Sequence, residues 1–327
     1  RDLSQPPESC GGTLLPASVT FPSLRAADVT RAVSTLFVRR QTAEIRGDYC
    51  FTTPEEAHQA AQAQLAMHRR WQQENLIDVA EFGSVRGETQ RSKFESGNLK
   101  LTLAIEGAGC IRNLDDATAF RDAGVRIISL AWAEGSRWAG GDQSGGDVTS
   151  EGRELIGHLD ELQMIHDVSH LSERAFSSLL ERTSGPIVAS HSNCRELLPG
   201  SKYPERHLSD GQIRALAARP NSLIGINLFA RFILPPGELA RRRATIADIL
   251  MHINHIEQLT GRRDLVALGS DFDSGFSTEL LPSDLQGPQD LVRLAEALSD
   301  AKWAESDISH FANAWESIVT AEKFLKG

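Results

Sequence analysis

The chain has 327 residues, 40% apolar and 24% charged, with 44 acidic against 34 basic side chains and a formal net charge of −10. This is a globular composition with enough apolar mass for a sizeable core, and it excludes a disordered or collagenous chain. The acidic balance, with Arg241-Arg242-Arg243 as the densest basic run, argues against a nucleic-acid or anionic-membrane surface.

Residues 1–27 carry Pro6, Pro7, Gly11, Gly12, Pro16 and Pro22 and read as loop. Short apolar runs suited to strands buried on both faces then follow at 33–38, 101–105, 125–130, 164–168, 186–190, 222–227 and 265–270. Helical patterns lie between them. Thr53-Pro54-Glu55-Glu56 has a capping Thr, Pro at the first helical position and Glu at the third, and opens a helix to about residue 75. Ser209 with Gln212 repeats the capping box, and residues 245–259 space their apolar side chains as a helix does. Two more helical stretches, from Pro288 and from Asp307 to about residue 326, close the chain; Phe311, Trp315, Ile318 and Phe324 give the last an apolar face for the barrel or a partner subunit.

Strand–helix alternation predicts α/β architecture in one domain spanning 1–327, a (β/α)8 TIM-like barrel. Only seven strands are evident, so the first strand is expected upstream of this chain or absent from it. An open doubly wound sheet would call for a Gly-rich phosphate turn, and neither G-x-G-x-x-G nor a Walker sequence occurs. No apolar run approaches the ~18 residues of a membrane span, and a soluble, cytoplasmic protein is expected over an exported one. Cys10, Cys50, Cys110 and Cys194 form no C-x-x-C pair and read as incidental thiols, with one disulfide left open.

A parallel barrel places its chemistry at the C-terminal ends of the strands. There stand Glu106-Gly107, Ala131-Trp132, Ser169-His170, His191-Ser192-Asn193 and Asp271-Phe272-Asp273. Two acids and two histidines from four strands make a set that divalent ions such as zinc accept. A single histidine after a strand is commonly structural; His170 and His191 on consecutive units are a stronger signal. His58, His68, His252, His255 and His310 fall on helix patterns and read as packed or solvated. No G-x-S-x-G elbow is present.

AIEGAG at 104–109, DVSH within 159–176, ASHSN within 185–197, RHLSD within 206–216 and GSDFD within 252–275 together resemble the membrane (renal) dipeptidase family, the M19 metallopeptidases, amidohydrolase-like barrels. The resemblance implies a zinc-dependent dipeptidase with a two-zinc site. It assigns Glu106 as the carboxylate bridging both metals, His170 and His191 as ligands of the second metal, and Asp271 as the group handling the proton of the attacking water. It makes Arg206 the clamp for the substrate's terminal carboxylate and puts Trp132 in the substrate pocket. The implied substrates are small dipeptides, including those with a C-terminal D-residue, and relatives are often homodimers.

Two departures stand out. Relatives open with a His-x-Asp pair for the first metal, but no His precedes His58 here; the chain is expected to start just downstream of that pair or to have lost it. Many relatives also carry His where this chain has Trp132, and a neutral indole N–H polarises a carbonyl differently. These departures sustain two alternatives, an impaired barrel acting as a binding protein and a metal-dependent N-acyl amino acid deacylase.

Overall fold

The computed structural model describes residues 2–11, 16–42, 47, 49–79 and 98–319. Eight strands form one parallel sheet: β1 (Arg31–Phe37), β2 (Ile77–Val79), β3 (Leu99–Glu106), β4 (Val125–Ser129), β5 (Ile165–Asp167), β6 (Ile187–Ala189), β7 (Ser222–Ile226) and β8 (Val266–Leu268). Seven of them run in the order β1-β3-β4-β5-β6-β7-β8. The strand missing from the sequence reading is β2, which pairs with the start of β3, Ile77 facing Leu99. Its three residues, with Asp78 in the middle, are too short for a pattern. Because β1 also pairs with Lys100 and Leu101, β1 and β2 take opposite edges of β3, and β4 joins higher up, at Leu103.

The helices are α1 (Phe21–Ala26), α2 (Pro54–Gln73), α3 (Leu114–Asp122), α4 (Ser150–Glu161), α5 (Glu173–Arg182), α6 (Asp210–Ala217), α7 (Pro236–Leu239), α8 (Ile246–Thr260), α9 (Leu291–Asp300) and α10 (Glu305–Val319). α1 corrects the expectation of loop before Ala27: Thr20 caps it reciprocally with Ser23, and Pro22 sits in its first turn, where no intrahelical N–H is needed. The predicted boxes at Thr53–Glu56 and Ser209–Gln212 both form.

Ala104, Ile127, Ile165, Val188, Leu223 and Ala267, one from each of β3 to β8, meet on the inner face of the sheet, with Val33 of β1 packed against them. α10 adds Ala314 and Ile318 to that layer. Between the two ends of the strand order, α10 touches both: Trp315 Nε1 donates to Leu268 O of β8 at 2.8 Å, and Glu316 pairs with Arg31 of β1. The last helix therefore packs into the sheet's own concavity; Phe324 lies outside the described residues. The result is a curled, half-barrel parallel sheet of the TIM type, with its strand ends converging on one rim. All four cysteines are free, and among the described residues no helix is long and apolar enough to cross a membrane.

Candidate metal centre

Glu106, Trp132, His170, His191 and Asp271 each stand where a strand stops. Glu106 is the last residue of β3, and Gly107 follows with φ 85°. A Cβ at Gly107 would lie 3.0 Å from Trp132 Cβ, so glycine serves both the turn and the close approach. His170 follows β5 with φ 68°, and Asp271 follows β8 with φ 57°. Left-handed backbone in non-glycine residues is costly and is often found where a side chain must be aimed.

Glu106 Oε1 lies 3.2 Å from His170 Nε2 and 3.3 Å from His191 Nε2, and the two Nε2 atoms are 3.2 Å apart. Metal–ligand bonds of ~2.0–2.1 Å at tetrahedral angles give ligand–ligand edges of roughly 3.3 Å, so the triangle has the size of one face of such a site. These residues are the candidate metal cluster among the described residues.

The far side of each imidazole is tied down. His170 Nδ1 is 2.8 Å from Asp142 Oδ2. His191 Nδ1 is 2.6 Å from Ser190 Oγ, which donates in turn to Asp167 Oδ2 at 2.5 Å. Asp167 Oδ1 accepts from the backbone N–H groups of Ser169 and Ser190, both at 2.9 Å. With a hydroxyl or carboxylate accepting at Nδ1, each neutral ring carries its proton there and turns a bare Nε2 toward Glu106. Two nitrogen lone pairs and a carboxylate oxygen facing one another repel unless a cation lies between them, and that is the property of a metal site.

The electrostatics follow from this. With no cation between them the rings can instead take up a second proton at Nε2: burial would raise the pKa of Glu106, but hydrogen bonds from His170 and His191 in that protonated form outweigh it, and the carboxyl is held below its ordinary range. At His191, burial and the Arg206 charge disfavour protonation; Asp271 and Glu106 more than offset them, and the pKa rises above the usual imidazole value.

Asp271 stands outside the three-ligand cluster. Its Oδ2 accepts from Asn227 Nδ2 at 2.9 Å. Asn227 is itself fixed by Asn193, whose Oδ1 accepts from the Asn227 backbone N–H at 2.9 Å. Arg206 is buried directly behind His191: it donates to His191 O at 2.7 Å and to Ser192 Oγ at 3.0 Å. Its Nε lies 3.9 Å from Asp142 Oδ2 and makes no hydrogen bond. Trp132 forms a wall beside the cluster, its ring centroid 5.5 Å from that of His170 and 5.2 Å from that of Phe37. The Arg39 guanidinium covers Trp132 at 4.6 Å and reaches Glu134 at 3.1 Å.

The structure thus gathers Glu106, His170 and His191 into one triangle, with Asp271, Arg206 and Trp132 around it. Sequence reasoning missed the roles of Asp142, Asp167, Ser190 and Asn227. Ser190 directly precedes the histidine it serves, so a hydroxyl flanking a candidate ligand was an available signal; Asp167 lies inside the DVSH stretch but acts through Ser190 on His191 of the next strand, which no local pattern shows.

The family described as membrane dipeptidase, peptidase family M19, matches residues 13–318. An uncharacterised protein of the pqqA 5′ region of Klebsiella pneumoniae is 34% identical over 211 residues, covering 61% of this chain and 73% of that protein. Dipeptidase tcpJ of Claviceps purpurea (strain 20.1) is 27% identical over 205 residues, 61% of this chain; the match spans 44% of that protein, less than half its length. A metallo peptidase from Rhodobacter sphaeroides, solved with a phosphinate mimic of the dipeptide L-Ala-D-Ala, superposes with a TM-score of 0.78 at 22% identity over 95% of this chain and 91% of that one. At that identity the likeness is one of fold.

Proposed function

The chain belongs to the membrane dipeptidase family, peptidase family M19, and on that premise we propose that it is a zinc-dependent dipeptidase, a single catalytic domain cleaving the peptide bond of small dipeptides, L-Xaa-D-Xaa among them. The observation that carries the reading is the triangle of Glu106 Oε1, His170 Nε2 and His191 Nε2 with edges of 3.2–3.3 Å. The two imidazoles and the carboxylate would hold the ion, a donor set that suits zinc. When bound, zinc lowers the pKa of water and polarises a carbonyl.

The remaining work falls to the chain's own residues. Asp271, an acceptor fixed by Asn227, takes the proton of the attacking water and delivers it to the leaving amine. Arg206 has a buried guanidinium whose Nε has no hydrogen-bond partner; a substrate carboxylate is the ligand its planar fork suits. Fixing that carboxylate limits the distance to the scissile bond and so selects short peptides. Trp132, covered by Arg39 and met edge-on by Phe37, bounds the pocket on the β4 side and excludes water there.

One observation favours a second reading. The described residues bring together three ligands, the number that holds one metal. A barrel that binds one metal and a peptide without turnover would look the same. Incubating the zinc-loaded protein with L-Ala-D-Ala and following release of free alanine separates them: turnover that disappears in Glu106→Gln supports the dipeptidase, and no turnover with zinc bound supports the binding protein.

A further inference from the structure

We propose that Asp142 is a positioning residue that holds His170 in its ligand tautomer and couples it to Arg206; the inference rests on the metal-dependent reading above. Asp142 belongs to none of the strand-end motifs. It follows the short strand Ala139–Gly141, which pairs back with Gly145–Val148 as a hairpin after β4. That hairpin crosses close over the backbone of Trp132 and Ala133, where a Cβ at Gly141 would collide with both carbonyl oxygens. Glycine at 141 therefore lets Asp142 reach the site.

From there Asp142 grips His170 twice. Its backbone N–H donates to His170 O at 2.8 Å, and its Oδ2 accepts from His170 Nδ1 at 2.8 Å. Its side chain is fully buried. Its cationic neighbour is Arg206, with Nε 3.9 Å from the same Oδ2. A buried carboxylate is costly unless paired, and here the two groups that compensate it are a candidate metal ligand and the candidate substrate clamp. Such a carboxylate fixes the tautomer and raises the basicity of Nε2, and losing one commonly costs 10–100-fold in metal affinity.

The molecule carries its own control. Buried His166 and half-buried Asp160 form a similar pair, Nε2 to Oδ1 at 2.6 Å, within a network holding Thr183 and Ser184 and apart from the metal triangle.

The test is calorimetric titration of zinc into metal-stripped wild type, Asp142→Asn and Asp160→Asn. The expected result is zinc affinity lower by about 10–100-fold in Asp142→Asn and unchanged in Asp160→Asn. Asp142→Asn binding as tightly as wild type overturns the inference alone. Wild type that binds no zinc overturns the metal-dependent reading and this inference with it. Should Asp142→Asn not fold, the ring-nitrogen shifts of His170 in metal-free wild type at alkaline pH decide: a proton on Nδ1 supports the role, and a proton on Nε2 overturns it.

Discussion

Asp271 shows how a residue becomes a site. Its left-handed φ of 57° costs backbone energy that the turn after β8 must absorb, and the result is a carboxylate hydrogen-bonded to Asn227 Nδ2 within electrostatic reach of His191. If it moves the proton, Asp271→Asn lowers kcat by about 10²–10⁴-fold and leaves zinc content unchanged. Steady-state kinetics beside elemental analysis reads both, and a kcat near wild type contradicts the role. Glu106→Gln has the opposite signature: the neutral amide loses the charge that balances the ion, so zinc and hydrolysis disappear together while circular dichroism is unchanged. At this scale the histidines and acids were legible because each directly ends or follows a recognisable apolar run. Asp142 was not, since its role depends on a hairpin folding back across β4 and β5, a tertiary contact with no local pattern.

Elements built from strong local signals formed where the residues predicted them, and the misses have local causes. The capping boxes at Thr53 and Ser209 form because hydroxyl and third-position acceptor act within one turn. α1 was hidden because Pro22 looks like a breaker out of context, and β2 because three residues carry no periodicity. The helix signals make a stability prediction: Thr53→Ala removes the acceptor for Glu56 N–H and costs ~1 kcal/mol in denaturant unfolding; no change would mean that another group satisfies that donor.

α8 supplies a second test at this scale. His252 is held neutral by burial, with a pKa near 4; its Nδ1 accepts from the Cys194 backbone N–H and its Nε2 donates to Ile233 O. The unfolded chain protonates this residue near pH 6.5, so the contribution is complete above that pH and is lost as pH falls toward 4, on the order of 3 kcal/mol. Urea unfolding from pH 7 to 4 should show that decline, and His252→Gln should flatten it. An equally steep decline in the variant would place its origin in other groups.

Across the whole molecule, the strand order leaves β1 and β8 at its two ends, and α10 spans them. The strand–helix alternation made the parallel α/β class legible, while the eighth strand, Ile77–Val79, went unseen. What the pattern did not contain was the occupant of the inner face: α10 reads as an ordinary amphipathic helix, and only packing shows Ala314 and Ile318 among the inward side chains of six strands. Trp315→Ala removes the bond to Leu268 O and part of that packing. It should cost about 2–3 kcal/mol, below the full-core value because Trp315 is half-buried. A melting temperature equal to wild type would contradict a structural role for α10.

The most direct measurement is the zinc content per chain, by elemental analysis, of wild type and His191→Ala after reconstitution and desalting. At least one zinc retained by the wild type and lost from a folded His191→Ala is the predicted result, because Glu106, His170 and His191 form the candidate ligand face. A wild type that holds no zinc, or a variant that holds as much as wild type, would contradict it.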